Sequence, residues 1–517
     1  MFKEFLGTFS KIVEIMPDPS ITDSDNELVK KMTEAFPRLS DKEKELFREV
    51  IKSFDDLGFE NRLYFDLFCL HNFKDPGFAE DILDVLITEQ MDVARRYNYL
   101  FALNRELFLS GIRADYGKRL AIEKSMVSEI RNKAELFPEY IPYGKRNEKN
   151  VVIVINPFLG AYHSPSLASL SLGYYLTRLG YNVYYVSVNE NEIFEYSGSE
   201  VYIASLKNRL YNGITEFEYD CFGFMIRGLH FDLRKDHMAD DINALAVHIS
   251  RMAPEFVIGV EGCNILADIC SLFTDVVLMN IVDDLPVTLT DITMRYFAGE
   301  LQNDYINASK YGKVIFDAVF QNAFQPFNQG EETAGLPEDR FLVCLVGNRL
   351  DEEINNKMQE TILTVLREVP EADMVFIGEC PKTRERFSEV TERCHFLGYV
   401  DRCEDTIAMC SVFLNPPRRG GGGGGYMAVK RGIPVYSLNN CDVASCVGDE
   451  FSHDTYDELI PFIRRCIDED GYYELMKKKA VEAYESIFGD DSCENIRVFC
   501  DRLTDYLKRK DEDLNNE

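Results

Sequence analysis

Asn415-Pro416-Pro417-Arg418-Arg419-Gly420-Gly421-Gly422-Gly423-Gly424-Gly425-Tyr426-Met427-Ala428-Val429-Lys430-Arg431-Gly432-Ile433-Pro434-Val435 is the stretch on which the fold of this 517-residue chain turns. Ser411-Val412-Phe413-Leu414 before it reads as a buried strand, and Ile433-Pro434-Val435-Tyr436-Ser437-Leu438 reads as another. Between them the spacing allows a loop without side chains and one short helix, closed by Gly432. A loop lacking Cβ atoms lets backbone N–H groups close in on an anion, and a helix N-terminus adds unpaired N–H groups. Arg418 and Arg419 stand beside it, so phosphate is the favoured anion. A flexible glycine linker is the competing reading. It fits poorly where so little chain joins two core strands.

Moving outward, the same strand-loop-helix rhythm repeats. After the turn-rich Gly335-Leu336-Pro337-Glu338-Asp339, strands are predicted over Phe341–Val346, Met374–Ile377, Phe396–Val400, Val412–Leu414 and Val435–Leu438. Glu352 to Val369 reads as a helix with Ile354, Met358, Ile362, Val365, Leu366 and Val369 on one side. That order of elements is doubly wound α/β. Farther upstream, Val151-Val152-Ile153-Val154-Ile155 is a continuous β-branched run of the kind buried on both faces of a parallel sheet. The loop from Asn156 to Pro165 follows it. Then come a helix with Leu172, Tyr175, Leu176 and Leu179 on one face and strands over Tyr181–Val188, Phe256–Val260 and Val276–Met279.

Before this the periodicity is helical. Ser40-Asp41-Lys42-Glu43 has capping-box spacing, and Leu46, Phe47, Val50, Ile51, Phe54 and Leu57 share a helical face. The expected organisation is therefore a helical N-terminal region over 1–145, a Rossmann-like domain over 146–315, and a second over 316–490. A C-terminal helix, reaching about Lys510, and an acidic tail make up 491–517.

Composition narrows the function. With 56 Lys+Arg against 88 Asp+Glu, the formal net charge is −32, which repels nucleic acid and anionic membrane surfaces. A local cluster of glycines and arginines still accepts one diphosphate. The 14 cysteines form no C-x-x-C pair, so a zinc ribbon or disulfide framework is not indicated and buried reduced thiols are expected. Met1-Phe2-Lys3-Glu4-Phe5-Leu6 lacks the apolar core of a signal peptide, and no apolar run nears the roughly 18 residues of a membrane span. A cytoplasmic protein is expected.

The chemistry-bearing candidates follow predicted strands, where open parallel sheets bind ligands. Asn348 and Arg349 follow Val346, and the guanidinium there suits bidentate diphosphate binding, although a solvated loop arginine fits equally. Tyr399 follows Phe396-Leu397-Gly398 and either walls a nucleotide base or packs its own loop. His163, in Phe158-Leu159-Gly160-Ala161-Tyr162-His163-Ser164-Pro165, is placed to take a proton, or else is structural. Glu261 and Asp283-Asp284 are weaker candidates. Asp468-Glu469-Asp470 spells D-x-D, but beside Gly471 it reads as a solvated turn, so no metal is assigned.

The second α/β half resembles the nucleotide-sugar half of GT-B glycosyltransferases, of the bacterial glycosyltransferase group 1 type, which carry N-P-x-R-x-G-G-G-T-S-S-x-E-A-x-x-x-G-x-P-V. Asn415, Pro416, Arg418, Gly420, Gly421, Gly422, Ala428, Gly432, Pro434 and Val435 fill that register. Val346-Gly347-Asn348-Arg349 and Phe396-Leu397-Gly398 resemble two further elements of that half. Two positions depart from the pattern. Gly423, Gly424 and Gly425 stand where hydroxyl side chains are expected, and Met427 stands where a carboxylate would hold the ribose.

The resemblance implies a metal-independent enzyme that moves a sugar from a nucleotide-sugar donor, a substrate rather than a cofactor, to a protein or glycan acceptor. It assigns donor binding to Asn348, Arg349, Tyr399, Arg418, Gly420 to Gly425 and Met427. His163 becomes the base if the reaction inverts the anomeric centre; a retaining reaction does not require one. The helical region would recognise the acceptor, a partner chain or a second copy. Met427 and the missing hydroxyls fit an alternative, a non-catalytic GT-B subunit that stabilises or targets an active partner. A nucleotide-sugar epimerase is the third reading.

Overall fold

The computed structural model describes residues 2–15, 27–53, 58–161, 163–194, 210–281, 285–295, 308–324, 335–347, 349–400, 403–418, 423–441, 443–488 and 491–516. The first part is helical, with helices Phe2–Ile15, Glu27–Ala35, Asp41–Lys52, Phe59–Phe73, Pro76–Thr88, Val93–Ser110 and Tyr116–Lys133. The capping box forms: Glu43 Oε2 accepts from Ser40 N at 2.9 Å and Ser40 Oγ accepts from Glu43 N at 3.4 Å. Phe47 and Ile51 are buried behind it, whereas Leu46 is 53% exposed and does not belong to the packed face. Phe54 and Leu57 lie outside the described residues.

The first sheet has eight strands: β1 (Asn147–Ile155), β2 (Asn182–Asn189), β3 (Ile214–Cys221), β4 (Phe224–Asp232), β5 (Pro254–Val260), β6 (Val276–Asn280), β7 (Ile292–Arg295) and β8 (Val314–Asp317). Their order is β3-β4-β2-β1-β5-β6-β7-β8, parallel except for the antiparallel β3–β4 hairpin at one edge. The sequence reading did not anticipate β3, β4, β7 or β8. Glu216, Glu218 and Asp220 interrupt β3, which is the edge strand among the described residues, and β7 and β8 are only four residues each.

The β-branched run of β1 divides between two cores, as the period of two requires. Val152 and Val154 join a core built with the N-terminal helices and with helix Met238–Met252. Val151, Ile153 and Ile155 face a second core, covered by helix Ser164–Arg178 and by Ile496, Phe499, Cys500, Leu503 and Leu507 of the C-terminal helix Ser492–Asn516. The helical region thus shares its apolar core with one face of the first sheet. The C-terminal helix crosses back from the second α/β unit to cover the other face. It runs on past Lys510 into the acidic stretch, and Lys510 Nζ donates to Asp275 Oδ1 at 2.8 Å and Asp291 Oδ2 at 2.7 Å.

The second sheet comprises β9 (Phe341–Val346), β10 (Ala372–Ile377), β11 (Cys394–Gly398), β12 (Val412–Leu414), β13 (Val435–Leu438) and β14 (Ser452–His453), in the order β11-β10-β9-β12-β13-β14 and all parallel. β11 stops at Gly398, two residues short of the expected end, and the sequence reading did not anticipate β14. The single helix expected over 352–369 is two helices, Leu350–Glu353 and Asn356–Glu368. The second is capped by the Asn355 side chain, which accepts from Met358 N at 3.0 Å. A side-chain cap competes with continued helix at that point, which is why apolar spacing alone missed the break.

The described cysteines are free and, except for Cys403 and Cys493, buried. Among the described residues no helix is long and apolar enough to cross a membrane. Leu503 is fully buried, so Leu503→Ala is expected to destabilise the protein by about 2–5 kcal/mol in urea unfolding. A loss under about 0.5 kcal/mol would show that the C-terminal helix does not cover the first sheet as described.

Candidate functional site

In chain order the second sheet runs third, second, first, fourth, fifth, sixth strand, so its winding reverses between β9 and β12. At such a reversal the loops leaving the two strands diverge and open a crevice at their carboxyl ends. Those ends are Val346 and Leu414. Arg349 and the Asn415-to-glycine segment follow them directly, and the structure brings the two together.

Arg418 reaches from the β12 side to the β9 side, where its Nη2 donates to the Val346 carbonyl oxygen at 2.6 Å. Its Nη1 lies 3.5 Å from Glu353 Oε2, and Arg349 Nη2 lies 3.2 Å from Glu353 Oε1. One carboxylate therefore sits between two guanidiniums. The side chain of Arg418 is 4% exposed and that of Arg349 33%, so only Arg349 is readily reached by a ligand. Glu353 was missed by sequence reasoning. Its signal was the (i, i+4) spacing from Arg349, which places two side chains side by side on a helical turn.

The strand ends pack closely enough to exclude side chains. A Cβ at Gly347 would lie 2.8 Å from Arg418 Nη1, and one at Gly378, where φ is +126°, would lie 2.0 Å from the Gly347 carbonyl oxygen. Gly378 N donates to Gly398 O at 2.7 Å, tying the ends of β10 and β11 together. Asn415 is fully buried, with Nδ2 donating to Ser437 Oγ at 3.1 Å and its carbonyl oxygen accepting from Tyr456 Oη at 2.6 Å. The segment entering the glycine run is held from both sides.

The six glycines are not one loop. Gly423, Gly424 and Gly425 form the first turn of helix Gly423–Lys430. A Cβ at Gly424 would lie 2.8 Å from Phe413 Cζ, and one at Gly425 2.5 Å from Val443 Cγ1, so these two let the helix pack against β12 and the helix Val443–Val447. Gly423 faces open space. Met427, one turn on, is half-buried against the apolar core. Tyr399 is 53% exposed just beyond β11, the edge strand, with β10 between that strand and β9. Asn348, Gly420, Gly421 and Gly422 lie outside the described residues, as do Asp283 and Asp284.

At the carboxyl end of β1, His163 precedes the first turn of helix Ser164–Arg178. Its Nδ1 is 3.1 Å from Ser166 Oγ, which also accepts from Leu159 N at 3.0 Å. Burial pushes the imidazole pKa down to about 4, so the ring is neutral near pH 7. Glu261 follows β5 in a left-handed conformation, φ 64°, and burial raises its pKa to about 7.

Sequence reasoning also missed Glu190, at the end of β2. Its Oε1 accepts from Asn156 Nδ2 at 2.8 Å and lies 2.7 Å from the Tyr97 hydroxyl, which is itself 2.8 Å from the Cys263 carbonyl oxygen. One hydroxyl proton serves only one of those acceptors. A protonated Glu190 donating to Tyr97 satisfies both, and burial raises its pKa to about 8. Tyr116 Oη likewise donates to Pro286 O at 2.7 Å, so the helical region roofs this stretch of the sheet edge. The rule that found Arg349, a polar residue directly after a strand, also marks Glu190; nothing in the sequence marks Tyr97 as its partner.

Among the described residues no three His, Cys, Asp or Glu side chains group to hold a metal ion. No family model matches the chain, and no curated protein matches it. Among solved structures, a mutant O-GlcNAc transferase of Thermobaculum terrenum aligns over 99% of this chain and 98% of its own, with a TM-score of 0.51 and 12% identity. The trehalose-6-phosphate protein from E. coli bound with UDP-2-fluoro glucose covers 69% of this chain and 99% of its own, with a TM-score of 0.46 and 8% identity. The catalytic domain of starch synthase IV from Arabidopsis thaliana, bound to ADP and acarbose, has the same coverage, a TM-score of 0.44 and 11% identity. The first likeness spans the whole chain, and the fold is GT-B: two Rossmann-like units preceded by a helical region.

A carboxyl group whose pKa rises from 4.5 to about 8 on folding contributes stability that is complete below pH 4.5 and is lost as pH rises through 8. The melting temperature is therefore expected to fall between pH 5 and 8. Glu190→Gln, neutral throughout, is expected to flatten that slope, leaving the parts due to other buried carboxyls with raised pKa values, Asp66, Asp268 and Glu261 among them; an unchanged slope would contradict a protonated Glu190.

Proposed function

We propose that the protein is a glycosyltransferase that moves a sugar from a nucleotide-sugar donor to a protein or glycan acceptor without a metal ion. The observation that carries this reading is the pair Arg349 and Arg418 converging at the winding reversal of the second sheet, beside the open backbone of Gly423. The GT-B fold supports it, because a two-domain fold of parallel sheets brings such a reversal to a cleft.

In this mechanism the sugar leaves with its bond electrons on the donor's diphosphate. Arg349 and the N-terminal turn of helix Gly423–Lys430 face that developing charge, and the glycine N–H groups supply hydrogen bonds. Arg418 acts from beneath as a fixed positive charge. For an inverting reaction His163 Nε2 removes the acceptor hydroxyl's proton, in the tautomer whose Nδ1–H donates to Ser166. Asn348, Tyr399 and Gly420 to Gly422 complete the donor side, and the helical region is left to the acceptor or a partner chain. The reaction is placed in the cytoplasm.

Donor hydrolysis and thermal shift across UDP-, GDP- and ADP-sugars test the reading. Arg349→Ala is expected to lower kcat/KM by about 10²–10³-fold and to cost less stability than Arg418→Ala, because Arg349 is the more exposed of the two partners of Glu353. Arg418→Ala is expected to lose turnover and also about 3–5 kcal/mol of stability, because it strips a buried carboxylate of a partner. Absence of nucleotide binding at millimolar concentrations sinks the enzyme reading. Binding without turnover shifts it to the non-catalytic GT-B subunit.

The imidazole supplies a second check. With its pKa near 4, the acid limb of an inverting reaction's rate profile is expected near pH 4 rather than 6.5, and His163→Ala is expected to lower kcat by about 10²–10⁴-fold. A wild-type rate in His163→Ala removes His163 from the chemistry.

A further inference from the structure

Three acidic residues, Asp351, Glu352 and Glu353, close the short helix after β9, and they are used differently. Asp351 accepts from the backbone N–H groups of Thr383, at 2.6 Å, and Lys382, at 3.2 Å. Glu352 is exposed. Glu353 turns to the arginines. Its side chain is 8% exposed and meets Arg349 and Arg418 as ion pairs, yet neither carboxylate oxygen has a hydrogen-bond partner of good geometry.

That arrangement is a poor way to gain stability. Burying a carboxylate is repaid only when its lone pairs are well satisfied, and here they are not. The carboxylate lies just behind the carboxyl end of β9, and Gly347 beside it has no room for a Cβ, which would fall 2.8 Å from Arg418 Nη1 and 3.3 Å from Glu353 Oε2. The carboxylate between the two guanidiniums offsets part of the positive charge they would otherwise present.

We propose that Glu353 is a built-in counter-ion of the donor site. In the empty protein it holds the two guanidiniums in place of a diphosphate, and in the loaded protein its charge repels the bound nucleoside diphosphate and hastens its release. The inference rests on the donor-site reading above and adds a regulator of affinity to it. A buried like charge close to an anion weakens binding substantially, because little water screens the repulsion. Release of the nucleoside diphosphate then limits turnover only when that repulsion is removed.

The test uses the full-length protein with UDP, GDP, ADP and inorganic pyrophosphate as probes, by calorimetry and by steady-state kinetics with a turned-over donor. Glu353→Gln, nearly isosteric and uncharged, is expected to bind the preferred nucleoside diphosphate and pyrophosphate roughly tenfold more tightly. Its kcat and KM are expected to fall together, as slow product release requires. Glu353→Asp, which keeps the charge, is expected to stay within about twofold of wild type. Should Glu353→Gln not fold, Glu353→Ala, which leaves room for water, must tighten binding in the same direction.

Equal or weaker anion binding in the neutral variants overturns the counter-ion while leaving the donor site standing. Tighter pyrophosphate binding with no turnover of any nucleotide-sugar supports the counter-ion and sinks glycosyl transfer. If neither wild type nor variant binds any of the probes, both readings fall.

Discussion

A parallel strand in the middle of a sheet has no face to give to water, and the rest of this structure follows from that constraint. β1 and β5 are apolar on both sides, so two separate layers must cover them. The N-terminal helices provide one and the returning C-terminal helix provides part of the other. The helical region is in this sense a wall of the first α/β unit. Tyr97 and Tyr116 extend that wall over the sheet's carboxyl edge, where their hydroxyls meet Glu190, Cys263 and Pro286.

The second sheet obeys the same constraint with shorter strands, and there glycine does the work of fitting backbone to backbone. Gly347, Gly378 and Gly398 terminate or follow β9, β10 and β11, and each lies close to a neighbouring loop or side chain. Gly424 and Gly425 bring a helix down onto Phe413 and Val443. A run that looks devoted to a ligand is therefore divided. Two of its described members serve helix packing, and Gly423 alone is left open. Each glycine within a helix weakens it by roughly 1 kcal/mol relative to alanine, so packing from above and below has to hold this turn in place.

The large pattern was legible because it is periodic. A continuous β-branched run announced β1, short apolar runs announced β5, β9 and β12, and capping chemistry announced the helix after Ser40. What escaped depended on contacts that sequence spacing does not carry. β3 carries mixed charge as an edge strand among the described residues, and β7 and β8 are too short to show a period. In the site, residues in the loops that follow strands could be found by rule, as Arg349 and His163 were. The Glu190–Tyr97 contact joins residues 93 positions apart, and the burial of Arg418 depends on a carbonyl 72 positions away.

That burial changes how a motif arginine should be understood. Arg418 stands where the resemblance assigns a donor-binding arginine, yet its guanidinium is committed to Val346 and Glu353 and is nearly closed to solvent. Contact is not the only way for a charge to act. Where little water intervenes, the field of a buried cation is weakly screened and reaches a neighbouring anion without touching it. Arg349 is partly exposed, so a ligand can reach its guanidinium, whereas Arg418 can act on one only through its field. Glu353 joins the two, so a change at any one of these three side chains alters the field that the other two present.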